Sequence, residues 1–209
     1  MRSVPPRILL ATRNEGKVKE IRSLVRDLPV EFLSLADVDP VPEVLEDRDT
    51  FEENALKKAR EIAHATGLPT LADDSGLCVD ALDGRPGPLS ARYAGTTATD
   101  EVKCARIIEE MSSVPDDRRS ARFVCVLAFV SPGEEESLFR GECRGWITNA
   151  PRGLGGFGYD PIFYHKESGG TFAEMDRETK NAVSHRGRAL SQFAAYLRTV
   201  ADLHSGESR

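Results

Sequence analysis

Residues 121–130 read ARFVCVLAFV, ten positions of which only Arg122 carries a charge. A strand with one wet face alternates apolar and polar side chains. Here both alternating sets are apolar, which predicts a central strand covered on both faces. Just beyond, Pro132-Gly133 is a turn pair, and Ser137–Thr148 is predicted to return as an antiparallel partner. Upstream the pattern is different. Arg7–Thr12 is a short apolar run, and Asn14–Leu28 carries Val18, Ile21, Leu24, Val25 and Leu28 at helical spacing. Val30–Leu35 reads as a second strand, and the Pro-, Asp- and Glu-rich residues 36–49 as a loop. Thr50–Ala65 is predicted as a helix, with Thr50 and Glu53 in capping-box spacing and Gly67 and Pro69 closing it. Leu68–Ala72 is strand-like and is expected to run into a polar turn at Asp73-Asp74-Ser75-Gly76. Gly84–Gly95 reads as irregular loop and Asp100–Met111 as an amphipathic helix. After the hairpin come a Pro/Gly loop (150–158), a short strand (160–164), and a second capping box, Thr171–Glu174, leading into a helical tail. The final residues, Ser205–Arg209, are expected to fray. Alternating strands and helices followed by a hairpin imply an α/β protein with a mixed sheet.

The 209 residues suit one domain, or two interlocked lobes spanning 1–209, with enough chain to bury a core without a staple. A net charge of −6 argues against general binding to nucleic acid or to anionic membranes. The longest apolar run, Phe123–Val130, falls far short of the ~20 residues that span a bilayer. The apolar stretch Ile8–Ala11 is too short for a secretory signal core. Cys78, Cys104, Cys125 and Cys143 are widely spaced without a C-x-x-C, which reads as buried free thiols in a reducing cytoplasm.

Several stretches could carry chemistry. At Thr12-Arg13-Asn14-Glu15-Gly16-Lys17 a strand gives way to a helix, whose unpaired N–H groups and positive dipole end suit phosphate, with Lys17 adding a point charge. The alternative is a plain helix start with Asn14 as its cap. Asp73 and Asp74 are adjacent acids that need a counterion. Mg²⁺, which takes carboxylate, water and phosphate oxygens, would suit them, and a solvated turn is the alternative. Acids in the loop before the Thr50 helix, Glu46 among them, could add an oxygen ligand or simply be solvated. Gly153–Gly158 matches G-x-G-x-x-G, but Asp160-Pro161 follows where a helix should open, so it is not a dinucleotide fingerprint. A loop presenting Phe157 and Tyr159 to a flat ring fits better, with core packing of both rings as the alternative. Lys180, Ser184, His185 and Arg186 gather hydrogen-bond donors near the start of the last helix. The histidines have no ligand-like spacing for zinc.

Together, ATRNEGK (11–17), TFEENALKKA (50–59), LADDSGLCVDAL (71–82), PGPLSARYAG (86–95), GGFGYDPIF (155–163), TFAEM (171–175) and SHRGRAL (184–190) resemble the Ham1/inosine triphosphate pyrophosphatase family. The resemblance implies an elongated mixed sheet flanked by helices, with two lobes around a nucleotide cleft, and a homodimer. It implies Mg²⁺-dependent hydrolysis of ITP, dITP or XTP to the monophosphate and pyrophosphate. By position, Thr12, Asn14 and Lys17, with the adjoining Arg13, Glu15 and Gly16, would grip the triphosphate. Asp73, Asp74 and Ser75 would form the acidic motif, with Asp74 as metal ligand or base and Lys17 and Asp73 beside it in catalysis. Phe157, Gly158, Tyr159 and Asp160 would form the purine platform. Lys180, Ser184, His185 and Arg186 would face the base edge, Arg186 opposing a 2-amino group. The family's usual E-E-T-G stretch is here Leu45-Glu46-Asp47-Arg48, which leaves Glu46 as the second metal ligand. A Maf-like pyrophosphatase for modified nucleotides and a nucleotide-binding module without turnover are the rival readings.

Overall fold

The computed structural model describes residues 4–133 and 136–205; the expectation of a frayed tail falls, past Ser205, outside them. Strand β1 (Arg7–Leu10) is followed by helix α1 (Glu15–Val25) and strand β2 (Glu31–Ser34), which pairs parallel with β1 in register Arg7↔Glu31 to Leu10↔Ser34. Helix α2 (Phe51–Thr66) then leads to β3 (Thr70–Val79), which pairs parallel on the other side of β1, Leu9↔Thr70 and Leu10↔Leu71. The first crossover therefore takes the chain to one side of β1 and the second carries it back to the other side. Such a switch point opens a crevice at the carboxyl ends of the strands, where α/β proteins bind ligands.

Helix α3 (Asp100–Glu110) precedes the long strands β4 (Ser120–Val130) and β5 (Ser137–Ile147). The short β6 (Phe163–His165) and β7 (Gly170–Thr171) follow, with antiparallel pairing for β5–β6 and β6–β7. Helices α4 (Arg177–Val183) and α5 (His185–Ser205) close the chain. The seven strands lie in the order β2-β1-β3-β4-β5-β6-β7, the mixed α/β sheet read from the sequence. The 121–130 segment is the middle strand, and Phe123 to Phe129 are all buried, as its two-sided apolar pattern requires.

The chain divides into two compact units. The first runs up to Asp74 and includes Val126–Arg140 and the chain from Arg186; the second comprises Ser75–Cys125 and Gly141–His185. The first unit's core contains Ile8, Leu9, Leu10, Ile21 and Ala59, and an aromatic group in which the Phe193 ring lies 5.5 Å from Phe129 and 5.4 Å from Phe139. The second unit's core is built from Leu77, Val79, Ile107, Met111, Phe123, Phe163 and Phe172, with Phe123 and Phe163 ring centroids 4.5 Å apart. None of the four cysteines is in a disulfide, and all are buried. No helix among the described residues is long and apolar enough to cross a membrane.

Two expectations fail. Asp73-Asp74-Ser75-Gly76 is not a turn: β3 runs straight through it. Gly76 is what the close packing there requires, since a Cβ at that position would lie 2.3 Å from Ser90 Oγ and 2.5 Å from Gly87 O. The helical tail also does not begin at the Thr171/Glu174 box. The Thr171/Glu174 capping box is real but caps only a 3-10 turn, Phe172–Glu174. Asp176 then caps α4, and Ser184 in extended conformation separates α4 from α5.

Candidate active site

In the first unit, β1 ends at Leu10 and α1 begins at Glu15. Asn14 is the cap: its Oδ1 accepts from the Lys17 backbone N–H at 3.1 Å, and its own N–H donates to Thr12 Oγ1 at 3.2 Å. The turn thus satisfies part of its own polar groups and aims the Lys17 side chain inward. Its ammonium donates to Asp73 Oδ1. Asp73 is 1% exposed, and its Oδ2 accepts from Arg186 Nε at 2.8 Å. Arg186, 2% exposed, extends its Nη1 to Glu20, a buried acid one turn along α1 from Lys17. Burial works against the Asp73 carboxylate, but Arg186 and Lys17 outweigh it and hold its pKa well below the usual range. Burial likewise disfavours the Lys17 ammonium, and the negative charge of Asp73, with that of Asp74, raises its pKa nonetheless.

Asp74 behaves in the opposite way. Burial, reinforced by the charges of Glu46 and Asp73 and opposed by Lys17 and Lys58, pushes its pKa up to about 6. One of two adjacent acids is locked as a carboxylate, and the other is poised to exchange a proton near neutrality. Glu46 comes to this cluster on the 45–48 loop, which α2 pins down. Lys58 Nζ donates to Glu46 and, at 3.0 Å, to the Asp73 carbonyl. Lys57 Nζ reaches Leu45 O at 2.9 Å and Asp47 Oδ1 at 2.7 Å, and Asn54 Oδ1 accepts from Arg48 N at 2.9 Å.

Among the described residues no group of three His, Cys, Asp or Glu side chains is arranged to hold a metal ion. The donors present are hard carboxylate oxygens, chiefly Glu46 and Asp74. This set fits Mg²⁺, which usually takes one or two carboxylates and completes its shell with water and substrate phosphate. It does not fit a metal that needs a full cage of protein ligands.

Not every residue read from the first motif joins the acids. Arg13 donates to Val41 O at 3.1 Å, and Thr12, Arg13 and Glu15 line a separate cavity of about 550 Å³ with Val18, Arg22 and Pro40.

The second unit gathers a different set around Asp160, which is buried. Its Oδ2 accepts from the Phe157 N–H at 2.9 Å and from Lys180 Nζ at 2.5 Å. The Lys180 ammonium also lies 4.8 Å from the Phe157 ring centroid, over the ring. Gly156 makes this hairpin possible: its φ is +74°, and a Cβ there would lie 2.1 Å from Asp160 Oδ2. Phe157 is only partly buried. Tyr159 is not: it packs in the second unit's core, with its hydroxyl donating to Ser90 O at 2.9 Å. His185 also packs inward, its ring 4.7 Å from Phe123 and nearly parallel, at 11°. Ser184 is buried at the end of α4, where its N–H donates to Lys180 O at 2.9 Å. Ser75, next to Asp74 in β3, is partly buried.

Arg186, expected at the base edge, is bonded to acids of the first unit. The boundary between the units falls between His185 and Arg186, and the arginine's Nε and Nη1 are engaged by Asp73 and Glu20. Sequence reading missed Glu20, Lys57 and Lys58. The signal for Glu20 was its place one turn beyond Lys17, on the same helix face.

The Ham1 family model matches residues 8–196. The chain belongs to the Ham1 family. A Geobacter sulfurreducens protein named dITP/XTP pyrophosphatase is 55% identical over 191 residues, covering 91% of this chain and 96% of that one. The structure of a HAM1 protein from Coxiella burnetii superposes with a TM-score of 0.85 at 43% identity, covering 93% of this chain and all of the other. A Mycobacterium abscessus structure, described as nucleoside-triphosphatase and dITP/XTP pyrophosphatase, gives a TM-score of 0.74 at 48% identity, covering 90% of this chain and 98% of that one. The segments that led to the Ham1 reading all lie within the matched range.

Proposed function

We propose that this Ham1 protein hydrolyses the deaminated purine nucleoside triphosphates ITP, dITP and XTP to the nucleoside monophosphate and pyrophosphate, and so clears them from the nucleotide pool. The observation that carries the reading is the pair Asp73–Asp74 in β3, one acid held ionised by Lys17 and Arg186 and the other raised to about 6. A binding module without turnover has no need of two adjacent buried acids tuned in opposite directions. The names of relatives in the same family give two of these substrates, dITP and XTP.

In this reading water attacks the α-phosphorus, the bond to the bridging oxygen of the β-phosphate breaks, and pyrophosphate leaves. Asp74 orients the attacking water and takes its proton, a general-base role. Glu46 and Asp74 are the oxygen donors that would hold Mg²⁺, which supplies charge neutralisation at the polyphosphate when bound. Lys17, kept cationic by Asp73, and the N–H groups at the start of α1 stabilise the triphosphate electrostatically. Thr12, Asn14 and Gly16 shape that turn. Phe157 stacks on the purine, and Lys180, held by Asp160, donates to its edge. A 6-oxo purine offers an acceptor where adenine offers an amino donor. A site built from donors therefore leaves buried groups unpaired against ATP, which costs about 10⁴-fold or more. The reading includes a cytoplasmic homodimer, which light scattering on the purified protein checks.

The deciding test is pyrophosphate release from a panel of common and deaminated triphosphates, with and without Mg²⁺. ITP, dITP and XTP should be cleaved far faster than ATP and GTP, and only with the metal. Folded protein that leaves all three intact in excess Mg²⁺ removes the reading.

A further inference from the structure

The purine platform is not a free loop. Residues 156–160 are tied to Asp160 from within, and a second anchor comes from α3, an element that sequence reading gave no part in the site. Gly158 N–H donates to Asp100 Oδ2 at 2.6 Å. Cys104 Sγ–H donates to Gly158 O at 3.4 Å. Asp100 and Cys104 are four residues apart and so face the same side of α3. One helix face thus grips both polar groups of a single loop residue, next to the ring proposed to stack on the base.

Neither contact is required by the helix itself. Thr99 is the cap of α3, its hydroxyl accepting from Val102 N, which leaves the Asp100 carboxylate for Gly158. Lys103 Nζ, 2.6 Å from Asp100 Oδ1, holds the other oxygen. Burial raises the Cys104 thiol to about 12, with the charges of Asp100 and Asp160 adding to it, so it stays protonated and can donate to the Gly158 carbonyl. The geometry is that of a latch with two catches, both on a rigid element.

We infer that Asp100, with Cys104 as the weaker catch, is a positioning residue that presents the Phe157 ring to the purine and so governs base affinity without touching substrate. The inference rests on the stacking role proposed above for Phe157. A loop shifted by about 1 Å can cost up to about 10²-fold, and a loosened latch should cost base affinity about tenfold.

The test compares Asp100→Ala, Asp100→Asn and Cys104→Ala with wild type, each verified as folded by circular dichroism. Three quantities are read: exchange protection of the Gly158 amide by NMR, calorimetric Kd for dITP in metal-free buffer, and calorimetric Kd for pyrophosphate. D100A should lose the protection and bind dITP about tenfold more weakly, with pyrophosphate affinity unchanged. D100N keeps an oxygen acceptor and should restore most of both, and C104A should fall between D100N and D100A. Lost protection with unchanged dITP affinity overturns the inference. So does an equal loss of dITP and pyrophosphate affinity, which marks a general structural defect. Wild-type protein that binds dITP but releases no pyrophosphate with Mg²⁺ defeats the hydrolase reading and leaves the latch standing.

Discussion

Each unit contains a buried carboxylate paired with an ammonium, Asp73 with Lys17 in the first and Asp160 with Lys180 in the second. Their surroundings set them apart. Asp73 has a second cation, Arg186, an adjacent acid that titrates high, and Glu46 on an anchored loop. Asp160 accepts a backbone N–H instead, and its lysine lies over an aromatic face. The first pair is part of a dense field of alternating charge, suited to a polyphosphate and a divalent ion. The second is a single charge pair set among rings, suited to a flat heterocycle with a polar edge. The same two residue types thus stand in two different settings, and the neighbours make the difference.

The largest effect should separate the two regions by kinetic parameter. Asp74→Asn is expected to lower kcat about 10³-fold or more with the fold intact, as read by pyrophosphate release and circular dichroism. Near-normal turnover would take the general base out of the first region. The next contrast concerns stability. Lys180→Met strands the Asp160 charge and should cost about 3–5 kcal/mol. Lys17→Met should cost clearly less, because Arg186 still neutralises Asp73. Urea unfolding of both variants decides it, and equal losses would mean the second cation does not matter.

A third prediction follows from the raised pKa of Asp74. A carboxyl whose folded pKa lies above its unfolded value favours the native state fully below the ordinary carboxylate range and loses that contribution as pH rises through the folded pKa. Between pH 4 and pH 6 the ionising Asp74 therefore removes stability from the metal-free protein, at most about 2–3 kcal/mol at about 1.4 kcal/mol per pH unit. Asp74→Asn should accordingly be more stable than wild type at pH 7.5, and the gain should vanish near pH 4. A gain that persists at pH 4 would place its origin in packing. The smallest effect sharpens the second region alone: Phe157→Leu should raise KM for dITP about tenfold, while inhibition by pyrophosphate stays put.

Much of this was legible in the sequence where the cause is local. The caps at Asn14 and Thr50 bond as their spacing predicts, and the two-sided apolar run at 121–130 is the middle strand. What stayed illegible shares one physical origin. Asp73-Asp74-Ser75-Gly76 looks like a turn because paired acids in a strand core are costly unless counter-charges arrive, and those come from α1 and from Arg186, far away in the chain. Tyr159 looks presentable on a glycine-rich loop, yet its hydroxyl finds a buried carbonyl at Ser90. Arg186 adjoins His185 in sequence, but the two side chains belong to different units, and no local pattern marks that divide.

The sequence by itself determined the elements, their alternation and the residue types able to do the chemistry, because helix caps, strand periodicity and motif order are encoded within a few residues. Only the tertiary structure decided which acid is locked and which titrates, that Arg186 serves the acids, and that α3 holds the Phe157 loop. Those outcomes depend on burial and on charges brought together from distant parts of the chain, and a buried charge takes its character from whatever the fold places beside it.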